Sequence, residues 1–179
     1  SARFFSFDGT GRVLAVFVVP GAEATDWEDM ASAKVGGISY LYFGDVGDNQ
    51  RRRSSIAVYR VPEPGREARS VRDVVKYELK YPDGAHNCET LMVHPQTGDL
   101  WLVAKVDSGG SQVYRLPAPS GPGTYTLQTA GIVRVGTSIL GSAMVTGGDI
   151  SPDGRFVTIR TYTAAHEFAA PAKFADWVK

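Results

Sequence analysis

Residues 25–49, "TDWEDMASAKVGGISYLYFGDVGDN", gather five carboxylates, Asp26, Glu28, Asp29, Asp45 and Asp48, around an aromatic strand that carries one lysine. A second acidic motif, "HNCET", supplies Asn87, Glu89 and Thr90, and "VTGGDIS" adds Thr146 and Asp149. Oxygen donors of this kind, brought to one place, suit a hard cation such as Ca²⁺, which takes 6 to 8 oxygens. Asp26, Glu28, Asp29, Asp45, Asn87, Glu89 and Asp149 are the candidate ligands. Glu28 or Glu89 beside a bound cation is also placed to activate water, the chemistry of a metal-dependent phosphoesterase or lactonase. The bland reading of the same residues is a structural network in which Lys105 and Arg160 neutralise the acids. "GDVGDN" lacks the twelve-residue spacing and closing Glu of an EF-hand. Its Asp48 and Asn49 read instead as a side-chain-to-backbone turn.

The remaining reactive side chains offer less. On one strand, His86 and His94 stand about 26 Å apart at the usual rise, too far to share a metal. Cys88 has no basic partner at a telling spacing and reads as a small core residue. His94, before Pro95 in a turn, is expected to be solvated, and His166 is given no role beyond packing or the surface. "RRRSS" offers Arg51, Arg52 and Arg53 to a phosphate, but reads first as a solvated loop tip. No nucleophile elbow, zincin motif or phosphate-binding Gly loop is present in the sequence.

The elements that must position these residues are short strands. Alternating apolar runs bounded by Gly, Pro, Asn or Asp recur along the chain: "RFFSF", "VLAVFVV", "SYLYFGD", "IAVYRVP", "VVKYELKYP", "CETLMV", "DLWLVAKV", "SQVYRLP", "TYTLQTAGIVRV" and "GDISPDGRFVTIRTYT". Helical spacing shows only in the tail, at Phe174, Trp177 and Val178, with Pro171 barring a longer helix.

These strands repeat. Glu28 and Glu89 are 61 residues apart, and Gly148 follows Glu89 by 59. "YLYFGD", "LWLVAK" and "FVTIRT" then align, and "VYRVP" matches "VYRLP". Four short antiparallel strands per unit is the pattern of a β-propeller blade, with a β-sandwich as the competing architecture. The fold expected is therefore all-β, with about three blade-equivalents of four-stranded antiparallel sheets, half of a roughly six-bladed ring. Residues 1–179 form one partial domain with blade portions at about 1–20, 25–81, 86–134 and 144–179. In such a ring the first strands face a common axis, so the acidic columns of different blades become neighbours. The first hairpin matches only the outer half of a blade and the last unit lacks a clear outer strand, which predicts exposed apolar flanks. Self-association or a chain supplying the missing half would cover them.

"TDWEDMA", "GDVGDN", "VYRVPEP", "CETLMVHPQTGDLWLVAK" and "GDISPDGRFVTIRTYTAAHEF" together resemble bacterial extracellular propeller proteins of poorly defined function, near the phytase-like and esterase-like propellers. The resemblance runs from the first residue to about Phe168. It implies a secreted, roughly six-bladed ring and no particular activity; a signal peptide is not present in this chain.

Composition narrows the partners. Nineteen basic and nineteen acidic residues among 179 cancel, which speaks against nucleic acid. No apolar run approaches the about 20 residues of a membrane-spanning helix. A single cysteine rules out an internal disulfide. The function expected is a secreted binding or scaffold module with an acidic channel and a Ca²⁺ site, taking a protein or glycan on its loops, with the hydrolase as the alternative.

Overall fold

The computed structural model describes residues 2–65, 68, 70–107, 110–136 and 143–178. The chain is all-β. Its strands are β1 (Arg3–Phe7), β2 (Val13–Val18), β3 (Trp27–Val35), β4 (Ile38–Asp45), β5 (Ile56–Pro62), β6 (Val75–Lys80), β7 (Cys88–Val93), β8 (Leu100–Ala104), β9 (Gly110–Leu116), β10 (Gly123–Thr126), β11 (Gln128–Arg134), β12 (Val145–Ile150), β13 (Phe156–Thr161) and β14 (Ala165–Ala169). Among the described residues the only helical turn is a 3₁₀ turn, Phe174–Asp176. None of them forms a helix long and apolar enough to cross a membrane.

Among the described residues four sheets result: β1-β2, β10-β6-β5-β4-β3, β11-β9-β8-β7 and β12-β13-β14. All pairings are antiparallel except β10 with β6. "TYTLQTAGIVRV", read as one strand of the second unit, is split. Residues 123–126 leave for the outer edge of the first unit's sheet, and residues 128–134 pair with β9. The Leu127 amide, donating to the Lys80 carbonyl at 2.9 Å, continues the parallel pairing. Tight turns follow their sequence signals. Gly36 and Gly37 both take positive φ, 58° and 83°, the two-residue turn whose twist suits a hairpin joining β3 to β4.

The sheets stack by their faces. Phe4 and Phe17 of the first hairpin lie on Phe43, with Phe4 and Phe43 ring centroids 4.8 Å apart, and Phe43 stacks on Trp27. The opposite face of that sheet presents Tyr42, Val58 and Leu79 to Leu91, Leu102 and Tyr114 of the middle sheet. The middle sheet's other face turns Met92, Trp101 and Val103 toward Val145, Val157 and Ile159, and the tail closes this layer with Trp177 and Val178. Burial on both faces explains why β8, "LWLVA", is apolar without alternation. Strand β7 lies between β3 and β12, so the first strands of three units are neighbours.

The exposed flank expected of the first hairpin is present. Phe5, Phe7, Val16 and Val18 share the outward face and are each about half exposed or more, at 52%, 68%, 48% and 52%.

Candidate functional site

Every inner strand is interrupted at the same place. The register slips between Trp27 and Asp29, between Cys88 and Leu91, and between Val145 and Gly147. Trp27, Cys88 and Val145 pair with Asp45, Ala104 and Thr161 at the ends of the second strands. A bulge re-aims the residue it inserts, and here those residues are Glu28, Glu89 with Thr90, and Thr146. This corrects the sequence alignment by two positions in the third unit: Thr146, not Gly148, stands where the first two units carry glutamate. Asp149 is shifted accordingly; it is exposed and lines a separate groove with Ser32 and Lys34.

Glu28 lies near enough to Glu89 to feel its charge, and nearer still to Asp26. A Cβ on Gly47 would lie 2.5 Å from the Asp26 carboxylate and 2.6 Å from Glu28 Oε1, so both acids converge where only glycine leaves room. Glu28 is pushed up to about 7, first by burial, then by the negative charges of Glu89 and Asp26, against the pull of Lys105. A side-chain hydrogen bond to Asp26, available only when Glu28 is protonated, adds to the rise. Lys105 Nζ donates to Glu89 Oε1 at 2.6 Å and to the Tyr162 hydroxyl at 2.6 Å, and sits 4.8 Å from the Tyr162 ring centroid. Burial works against the ammonium charge there, but these partners hold the Lys105 pKa above its ordinary value.

Asp29 does a different job. Its Oδ1 accepts from the Met30 amide and its Oδ2 from the Leu91 amide, each at 2.9 Å, and the Gly148 amide also bonds the carboxylate. One side chain thus satisfies backbone donors of β3, β7 and β12. Burial pushes Asp29 up to about 6, with those amides and Arg160 opposing. Arg160 itself lies over Gly147 and donates to the Thr146 carbonyl.

Asp45 is paired with Arg53, not with Lys105 or Arg160. Arg53 Nη1 donates to Asp45 Oδ1 at 2.9 Å and to the Gly47 carbonyl at 2.8 Å, while Asp45 also accepts from the Thr25 and Asp26 amides. Asp48 caps the loop as its sequence suggested, its Oδ2 accepting from the Arg53 amide at 2.7 Å. Asn87 reaches the same loop, its Oδ1 accepting from the Asp48 amide at 2.8 Å and its Nδ2 donating to Asn49.

Of the seven candidate ligands, Asp29, Asp45 and Asn87 are engaged by backbone or arginine and Asp149 is elsewhere. Asp26, Glu28 and Glu89 remain, with the Lys105 ammonium on one of them. Among the described residues no three His, Cys, Asp or Glu side chains are arranged to hold a metal. As arranged, the cluster does not fit Ca²⁺, which would need Lys105 to withdraw and more oxygens to enter.

Cys88 is fully buried, its Sγ donating to the Thr90 and Val103 carbonyls, and burial pushes its thiol up to about 12. His94 is buried rather than solvated: its Nδ1 accepts from the Gln96 and Thr97 amides and its ring meets Phe174. Burial lowers its pKa. His86 sits with Asp83 and Tyr114, whose hydroxyl is 2.7 Å from His86 Nε2.

Sequence reasoning missed Tyr162, Gly47 and the inward role of Arg53. Tyr162 had a signal, since it directly follows Thr161, the counterpart of Asp45. No family model matches the chain, and no curated protein does.

Proposed function

We propose that the chain is part of a β-propeller binding module whose acidic hub, Asp26, Glu28 and Glu89, exchanges the Glu28 proton for a cation only once Lys105 withdraws from Glu89 and further oxygens enter. The single observation that carries this is the convergence of Asp26 and Glu28 over Gly47, a geometry that no salt bridge among these residues requires. The radial reading is supported by the adjacency of β3, β7 and β12 and by the face-to-face order of the sheets. The module is read as extracellular on the motifs that resemble secreted propellers. Its partner in closing a ring is a second copy or a chain with the missing blades, a reading favoured by the apolar outer face of the β1-β2 hairpin.

The test is thermal melting with and without millimolar Ca²⁺, in the unaltered chain and in Lys105→Met. A ligand that binds only the folded state raises the melting temperature. The proposal expects a rise in Lys105→Met that is larger than in the unaltered chain and that disappears when Glu28→Gln is added. No shift in either leaves a structural ion-pair network.

A metal-dependent hydrolase is the second reading. It is favoured by Glu28 at about 7, where a carboxyl serves well as general acid or base. Turnover of a phosphoester or lactone, lost in Glu28→Gln and Glu89→Gln, is its test.

A further inference from the structure

A second concave site, of about 450 Å³, lies where the hairpin tip of β3 and β4 meets the turns that follow β7 and β12. Its polar lining comes from Ser32, Lys34, Tyr40, Glu63, Gln96 and Asp149, and Ala33, Pro95, Ile150 and Pro152 supply apolar floor and wall. Three sheets contribute, so no single turn makes it. The volume falls within the range of small-molecule sites, and the lining mixes apolar surface with donors and acceptors.

The walls are fixed in advance. Gln96 Nε2 donates to the Asp153 carbonyl at 3.1 Å, tying the second unit's turn to the third's. His94 Nδ1 anchors the Gln96 and Thr97 amides, and the His94 ring lies against Gly154 of the neighbouring turn. Asp149 Oδ1 accepts from the Ile150 amide at 2.8 Å, and the Glu63 amide donates to the Ser39 carbonyl at 2.9 Å. The Arg60 guanidinium sits 4.5 Å from the Tyr40 ring centroid, which holds that ring in place. The Gln96, Tyr40 and Asp149 side chains are thus ordered before binding, which lowers the entropy that binding costs.

We infer that this groove binds a short oligosaccharide, uncharged or amino-bearing. Sugar rings present hydroxyls in many directions beside apolar C–H faces. Serine hydroxyls, a carboxamide, two carboxylates and an ammonium answer the first, and the Tyr40 ring with the prolines answers the second. Two carboxylates against one lysine disfavour uronic acids and sulfated sugars. The inference rests on the binding-module reading and not on the acidic hub, so a silent Ca²⁺ melt leaves it standing.

Amide NMR titrations with N,N′-diacetylchitobiose, a glucosamine dimer and digalacturonate test it. The expected result is about millimolar binding of the first two, with shifts confined to residues around Tyr40, Gln96 and Asp149, and about tenfold weaker binding of the uronate. Ser39→Trp, at an exposed strand position lining the groove, abolishes binding with the melting temperature within about 3 °C of the parent. Absence of shifts, shifts mapping elsewhere, preference for digalacturonate, or unchanged binding in Ser39→Trp overturns it.

Discussion

Glu28→Gln is the most informative single change in the hub. Glutamine keeps the shape of the protonated side chain and still offers Asp26 a donor. A folded-state pKa near 7 against an ordinary 4.5 means the folded chain holds a proton that the unfolded chain releases. The sign follows: between about pH 4.5 and 7 the folded state binds more protons, so stability falls as pH rises through that window. At full strength the shift corresponds to about 3 kcal/mol. Glu28 is only half-buried, and screening by solvent cuts this to about 1 kcal/mol. Glu28→Gln removes the cost of ionising that carboxyl. Melting curves of both proteins at about pH 3.5 and pH 8 should coincide within error at the lower pH, which lies below the ordinary carboxyl value, so that Glu28 is protonated in both states. At pH 8 the variant should lead by about 1 kcal/mol, which for a chain of this size is about 2–4 °C. A variant less stable than the parent at pH 8, or an offset that does not change with pH, would mean that Glu28 is ionised and paired with Lys105, and the shared-proton account would fail.

Lys105→Met should cost about 1–3 kcal/mol at pH 8, because Glu89 is left without its ammonium partner next to other carboxylates, and less at pH 5; chemical denaturation at the two pH values checks it. The Cys88 thiol should stay unmodified by a thiol reagent at pH 8 for as long as the chain is folded and react fully in denaturant, and quick native labelling would contradict its burial. Replacing Phe5 and Phe7 together by Lys should weaken concentration-dependent self-association and dye binding to exposed apolar surface without moving the melting temperature by more than about 2 °C, read by light scattering and fluorescence.

Much of the fold was readable from local chemistry. "VGGI" makes a two-residue hairpin because both glycines take positive φ, while the turn of "SPDGR" has positive φ at Gly154 alone and closes through the Gly154 amide on the Ser151 carbonyl. The stretch "LWLVA" was legible as a strand among the alternating runs, but its burial on both faces came only with the structure. The splitting of residues 123–134 between two sheets was not legible, since nothing in "TYTLQTAG" says that its first half pairs in parallel with a strand of another unit. In the site, the nearness of Glu28 to Glu89 follows from the repeat, whereas the place of Asp149 does not. Motif alignment counts residues, but bulges decide which residue is turned toward the hub, and a slip of two positions sends Asp149 to the groove. Arg53 was hidden among three arginines of equal appearance; only the buried Asp45 and the Gly47 carbonyl distinguish it. His94 looked like a turn residue, and its burial depends on Phe174, eighty residues further along the chain.

The central claim is that glutamates from two different sheets feel each other's charge at the hub. A carbon-13 NMR titration of the Glu28 side-chain carboxyl, repeated in Glu89→Gln, tests it most directly. The account predicts a midpoint near 7 that falls once the Glu89 charge is removed and Lys105 is released toward Glu28. A midpoint in the ordinary glutamate range, indifferent to Glu89, would contradict it.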